Sequence, residues 1–316
     1  MNQIRYETDA EGIATLTFDS PDGPVNTMSQ AWQADFIACV ECVIAEKNKL
    51  RGVILASAKA SFFAGADLKS VLRLTEKDAP EAYRNIEAVK AALRKLELSG
   101  RPVVAAINGA ALGGGWEICL AAHWRICIDD PKIELGCPEV SLGLLPGAGG
   151  VTKMVRLLGL QAALPLLAEG KLMRPGEAMQ LKLVDELVAD RAALAARARD
   201  WIAANPEPKQ AGDRKEYKIP GGGARAPGAG MMLAVAPAVL TQRTRGLYPA
   251  PEAILSCAVE GTMTDFDSAM RNESRYLAKL MTGQVARNMI TAFFFNLNAI
   301  KSGASRPKNV PKWKAS

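Results

Sequence analysis

Glu117 and Glu139 are ionisable residues in apolar company, the setting in which acid–base chemistry at neutral pH is built. Glu117 comes just past Gly113, Gly114 and Gly115, among Trp116, Ile118, Cys119 and Leu120. Glu139 follows Cys137 and Pro138 and precedes Val140, Leu142, Leu144 and Leu145. Desolvation can raise the pKa of one carboxyl group while a second stays ionised, so such a pair can both give and take a proton. Read locally, Glu117 is paired, caps the first turn of a helix, or is kept for catalysis. Spacing alone leaves open whether it meets Glu139.

The glycines suggest where negative charge could be held. A strand ending at Ile107 leads to Gly113–Gly115, and a helical pattern starts at Trp116. Glycines at a helix start let a ligand approach free N–H groups at the positive end of the helix, although a plain tight turn has the same sequence. A second candidate is SFFAGADL at 61–68. Gly65 frees the backbone for a turn with the Ala66 N–H at its apex, and the alternative is a simple strand-to-helix turn capped by Asp67.

Composition removes several other chemistries. His123 is the single histidine, so a metal site or a Ser-His-Asp triad is not expected. Cys39, Cys42, Cys119, Cys127, Cys137 and Cys257 lie in apolar or periodic segments and read as reduced, mostly buried thiols. The formal charge of +6 owes much to Lys301, Arg306, Lys308, Lys312 and Lys314, which without interleaved aromatics read as a solvated tail rather than a nucleic-acid surface. The start lacks a signal-peptide pattern and no run approaches a membrane span. A soluble, cytoplasmic protein is expected.

The elements that must position these residues alternate between strand and helix up to about residue 190, an α/β pattern. Strands are expected at 52–57 (GVILAS), 103–107 (VVAAI) and 125–128, and helices from a Ser29 cap to about residue 46 and over 81–98. A Pro/Gly-rich break at 205–230 ends the periodicity. Helical segments follow near 231–245, 252–259, 265–280 and 284–300, with Pro249, Pro251, Gly261 and Gly283 between them. The expected division is a catalytic domain at 1–204, a connection at 205–230, a helical appendage at 231–302 and a basic tail at 303–316.

AGAD at 64–67, NGxALGGGxE at 108–117 and GxPEVxLGLLPGAGG at 136–150 occur in order. Together they resemble the signature segments of the crotonase (enoyl-CoA hydratase/isomerase) superfamily. HWRICIDDPK at 123–132, YKIPGGG at 217–223, YPAPEAILSCAVEG at 248–261 and FNLNAIKSGASRPKNVP at 295–311 extend the resemblance. They are similar to the hydratase half of multifunctional fatty-acid oxidation α-subunits, whose dehydrogenase domain would begin where this sequence stops.

This resemblance implies the crotonase (ClpP-like) fold, a spiral of ββα units, with a helical C-terminal appendage. It implies that Glu117 and Glu139 are the catalytic pair and that the N–H groups of Ala66 and Gly114 hold the thioester oxygen. Ala64, Gly65, Asp67, Leu68 and Gly113 would line the substrate, with coenzyme A along 64–68. The implied reaction is hydration of a 2-enoyl-CoA in β-oxidation, with no cofactor beyond the coenzyme A of the substrate. Further copies of the chain or a thiolase subunit are the implied partners. Three alternatives stay open: a Δ3-Δ2-enoyl-CoA isomerase, as main or secondary activity; a catalytically idle acyl-CoA-binding or scaffold module; and an NAD-dependent enzyme using Gly228 and Gly230. The last lacks a third glycine, since Leu233 stands in its place, and lacks a preceding strand.

Overall fold

The computed structural model describes residues 3–304 and 306. The expected basic tail, apart from Gly303, Ala304 and Arg306, lies outside the described residues.

Aliphatic and β-branched runs form the strands. β1 (Ile4–Thr8) and β2 (Ile13–Phe18) pair antiparallel. Asp9 closes their turn by accepting the N–H groups of Glu11 and Ile13, each at 2.9 Å. α1 (Gln30–Glu46) starts where expected, with the Ser29 hydroxyl accepting the Trp32 N–H at 3.2 Å. β3 (Gly52–Ser57), the short α2 (Leu68–Val71), α3 (Ala79–Glu97) and β4 (Val103–Ile107) follow. Next come β5 (Ala111–Leu112), α4 (Gly114–Ala121), β6 (Trp124–Ile128) and β7 (Leu135–Gly136). A 3-10 turn at Glu139–Leu142 leads to α5 (Gly150–Leu158), α6 (Leu160–Ala168), α7 (Pro175–Gln180), β8 (Glu186–Val188) and α8 (Arg191–Ala204).

The large sheet has the order β1-β2-β3-β4-β6-β8 and is parallel from β2 onward. Strand alternation sorts its residues onto two faces. Leu16, Phe18, Val53, Leu55, Val103, Ala105, Ile107 and Cys127 join the main core. Ile13, Ile54, Val104, Ala106, Ile126 and Val188 face the other way, against Leu194, Ala198 and Ile202 of α8. All five residues of β4 are buried, as expected for a parallel strand covered on both faces.

A second, small sheet pairs β5 with β7 in parallel and is extended by single bridges from Phe63 to Ala111 and from Leu135 to Met173. β3, β4 and β6 are thus each followed by a step through this small sheet and then a helix. That repeated ββα path is the crotonase fold implied by the motifs.

Beyond Ala204 the chain runs through turns to α9 (Ala229–Thr244), α10 (Pro249–Gly261), α11 (Phe266–Met281) and α12 (Gln284–Met289). A π-helical stretch at Ile290–Asn296 then leads into α13 (Leu297–Lys301). Pro249 and Pro251, expected to separate elements, instead lie in the first turn of α10, where a missing N–H costs nothing. The C-terminal helices are part of the main core: Ala250, Ile254, Cys257, Ala258, Leu280, Ala286 and Ile290 are buried in it.

Candidate active site

The small sheet gathers the three sequence motifs. Phe63, Ala111 and Leu135 are successive rungs, and the Leu112 N–H donates to Phe63 O at 3.0 Å while the Gly113 N–H donates to Gly136 O at 2.8 Å. Segments 61–66, 111–114 and 135–139 therefore lie side by side. Pro138 sends the chain out of β7 into the 3-10 turn that Glu139 opens.

Glu139 lies directly against Gly113. A Cβ placed on that glycine would sit 2.3 Å from Glu139 Oε1, and its φ of +55° is a conformation that favours glycine. Glu139 Oε2 is buried and finds no hydrogen-bond partner among the described residues. Burial pushes the Glu139 pKa up to about 7, helped by the negative charge of Glu273 and opposed by a backbone hydrogen bond.

Glu117 sits in the first turn of α4, 3% exposed, and its N–H donates to Gly113 O at 3.0 Å. Its Oε1 accepts the N–H groups of Ala148 at 2.6 Å and Gly150 at 2.7 Å. Gly150 opens α5, so this oxygen rests at a helix N-terminus, where backbone donors are free. Burial, then the charges of Glu139 and Glu273, nevertheless raise its pKa well above the ordinary range, and the two amides pull it back only in part.

Ala66 and Gly114 are brought beside the same glycine. Met28 pairs with Ala66 in parallel fashion, its N–H donating to Gly65 O at 2.9 Å. Strand alternation then turns the N–H of Ala66 away from Met28. Gly65 packs on the neighbouring segment, since its Cβ would lie 3.2 Å from Leu112 O and 3.9 Å from Gly113 Cα. The Gly114 N–H is the first of α4 and has no partner within the helix. Neither amide has a backbone acceptor among the described residues. Ala64 and Ala66 are exposed, Gly65 is buried between them, and Leu68 packs partly against the core. Asp67 caps α2, accepting the Lys69 N–H at 3.1 Å. A cavity of about 160 Å³ lined by Ile54, Ala106, Asn108 and Arg191 lies elsewhere, under α8 on the opposite face of the large sheet.

The profile of the "Enoyl-CoA hydratase/isomerase" family matches residues 8–211. The chain belongs to this family. The fatty acid oxidation complex subunit alpha of Shewanella amazonensis is 34% identical over 307 residues, 96% of this chain and 43% of that relative. The chain thus spans less than half the length of that relative. The human mitochondrial delta3-delta2-enoyl-CoA isomerase shares the fold with a TM-score of 0.65 at 22% identity, covering 95% of this chain and 99% of that one. An enoyl-CoA hydratase from Bacillus anthracis shares it with a TM-score of 0.58 at 23% identity, covering 95% and 96%.

Within this member of the enoyl-CoA hydratase/isomerase family, His123 and the glycines at 228 and 230 sit as their sequence context suggests. His123 holds structure: Nδ1 accepts the Val103 N–H at 3.1 Å, so Nε2 carries the proton shared with Glu97 O at 3.1 Å. Burial lowers its pKa to about 4, keeping the ring neutral. Gly228 and Gly230 enter α9 from turns, with no strand ahead of them.

Sequence reading missed Glu273, on α11 and 0% exposed, which accepts the N–H groups of Gly149 at 2.6 Å and Thr152 at 2.9 Å. It also missed Lys90, on α3 and 4% exposed, whose Nζ lies 3.3 Å from Glu273 Oε1. The available signal was a polar residue on each apolar stripe: Lys90 among Val89 and Leu93, Glu273 among Ala269, Met270 and Ala278.

Proposed function

We propose that the chain is an enoyl-CoA hydratase, adding water to a trans-2-enoyl-CoA to give a 3-hydroxyacyl-CoA. The supporting observation is a pair of buried carboxyl groups, Glu139 against Gly113 and Glu117 at the start of α5, both with raised pKa and one with an oxygen that has no partner among the described residues. Two neighbouring acids of raised pKa suit a reaction that must remove a proton from water and deliver one to carbon.

In this mechanism Glu117 and Glu139 hold one water between them. The ionised member draws off a proton as the oxygen bonds to C3. Electrons from the C2=C3 bond move toward the thioester oxygen, which the N–H groups of Ala66 and Gly114 receive with the start of α4 behind them. The protonated member then supplies the proton that C2 takes as the enolate collapses. Exposed Ala64 and Ala66, with Gly65, Asp67, Leu68 and Gly113, form the surface along which we place the coenzyme A thioester. Water is the only co-reactant, so no further cofactor enters.

The likeness to an alpha subunit of a fatty acid oxidation complex supports β-oxidation as the setting, with a thiolase subunit or further copies of the chain as partners. Isomerisation from 3-enoyl to 2-enoyl needs one base to carry one proton, so the presence of both acids favours hydration as the main activity. Assaying the purified chain on matched 2-enoyl and 3-enoyl thioesters tests this. Hydration of the 2-enoyl substrate is expected to dominate. Faster turnover of the 3-enoyl thioester would make it an isomerase, and turnover of neither would leave an acyl-CoA-binding module.

A further inference from the structure

The turn ahead of α5 divides its amides between two buried carboxylates. Ala148 and Gly150 donate to Glu117, whereas Gly149 and Thr152 donate to Glu273. Gly149 has a φ of +113°, which lets neighbouring N–H groups face opposite sides of the turn. Thr152 adds its hydroxyl to Glu273 at 3.0 Å. α11 also packs against the turn through Leu277, whose Cδ2 would lie 2.0 Å from a Cβ on Gly147.

Behind Glu273 lies a counterion taken out of water at evident cost. Lys90 Nζ reaches Glu273 Oε1, Ser274 Oγ at 2.8 Å and Met270 O at 2.5 Å. A buried ion pair stabilises a fold poorly compared with apolar packing, because both ions lose their hydration. Its geometry here serves the turn.

We propose that Glu273, paired with Lys90, is a positioning residue for Glu117, fixing the 147–152 turn in the register that aims the Ala148 and Gly150 amides at the Glu117 carboxyl group. This rests on the reading of Glu117 as an acid–base residue. The groups facing Glu273 are Lys90 and, through Ser274, Glu87 from α3; Lys153 from α5; Cys257 from α10; and Glu117, Glu139 and Cys137 from the site. Glu273 therefore adds negative charge beside the pair, and Lys90 offsets part of it.

Glu273→Gln keeps the shape but places an amide NH2 where an acceptor is needed. The test is the pH dependence of steady-state hydration of a short 2-enoyl-CoA by wild type, Glu273→Gln, the double variant Lys90→Gln/Glu273→Gln, and Glu117→Gln, with thermal melts alongside. Expected for Glu273→Gln is a kcat loss of about tenfold or more at nearly unchanged KM, because a misplaced catalytic group loses rate before binding. The acid limb of the profile should move to lower pH by on the order of one unit, since the Lys90 charge remains. The double variant should show the kcat loss with a smaller displacement, and it decides the matter if the single variant does not fold.

Wild-type kcat and acid limb in a folded variant, with only the melting temperature altered, would reduce the pair to a structural role and overturn the proposal. That result, with an inactive Glu117→Gln, leaves the hydratase reading standing. An inactive wild type would remove both.

Discussion

At the scale of single residues, the candidate site is built by burying acids, one of which is left short of partners. Glu139 illustrates the cost: burial and the nearby charge of Glu273 hold its pKa at about 7, and Oε2 has no partner among the described residues. A carboxyl group that binds its proton more tightly folded than unfolded contributes stability while protonated and loses it as pH rises through the folded value. A shift from the ordinary glutamate value of 4.5 to about 7 corresponds to on the order of 3 kcal/mol. Glu139→Gln should therefore gain melting temperature relative to wild type as pH goes from about 5.5 to about 8.5. A difference that stays constant across that range would mean Glu139 does not titrate near 7. Both glutamates were legible in the sequence, because a charge in an apolar run asks for an explanation. Glu273 and Lys90 left a weaker signal, a polar residue on an otherwise apolar stripe, and only the packing of α11 on α3 shows that they meet.

Elements place the residues through short-range rules that sequence carries well. The Ser29 cap, β3 and β4 fall where hydroxyl, aliphatic run and glycine break put them. The prolines in the first turn of α10 misled because proline both ends helices and opens them, and the choice depends on what the next turn packs against. The π-helical stretch at Ile290–Asn296 likewise left no mark on an ordinary helical period. The small sheet is the element that brings the three motifs together, and Gly113 joins it to α4. Gly113→Ala forces a left-handed φ on an alanine, costing about 1–2 kcal/mol, and drives its Cβ into Glu139 Oε1. Displacing a reacting group by about an ångström can cost on the order of 10²-fold in rate. The expected outcome is a folded protein by circular dichroism with kcat down by about that factor. Near-wild-type turnover would show that the carboxyl group of Glu139 need not lie where Gly113 admits it.

Over the whole molecule, catalytic and C-terminal parts share one core. α10 and α11 bury Ile254, Cys257, Ala258 and Leu280 beside the strands, and α11 reaches back to the turn that grips Glu117. The break at 205–230 was visible as composition, but how closely the following helices embrace the first part was not, because long-range contacts leave no local pattern. The proposed function rests on the convergence of three motifs around Gly113, with Glu117 and Glu139 working as one acid–base unit. Its most direct measurement is kcat/KM for a 2-enoyl-CoA in Glu117→Gln, Glu139→Gln and the double variant. Each single change should cost about 10² to 10⁴, and the double little more than the worse single, as expected for groups that act together. A single variant with wild-type kcat/KM, or losses that simply multiply, would contradict a shared site.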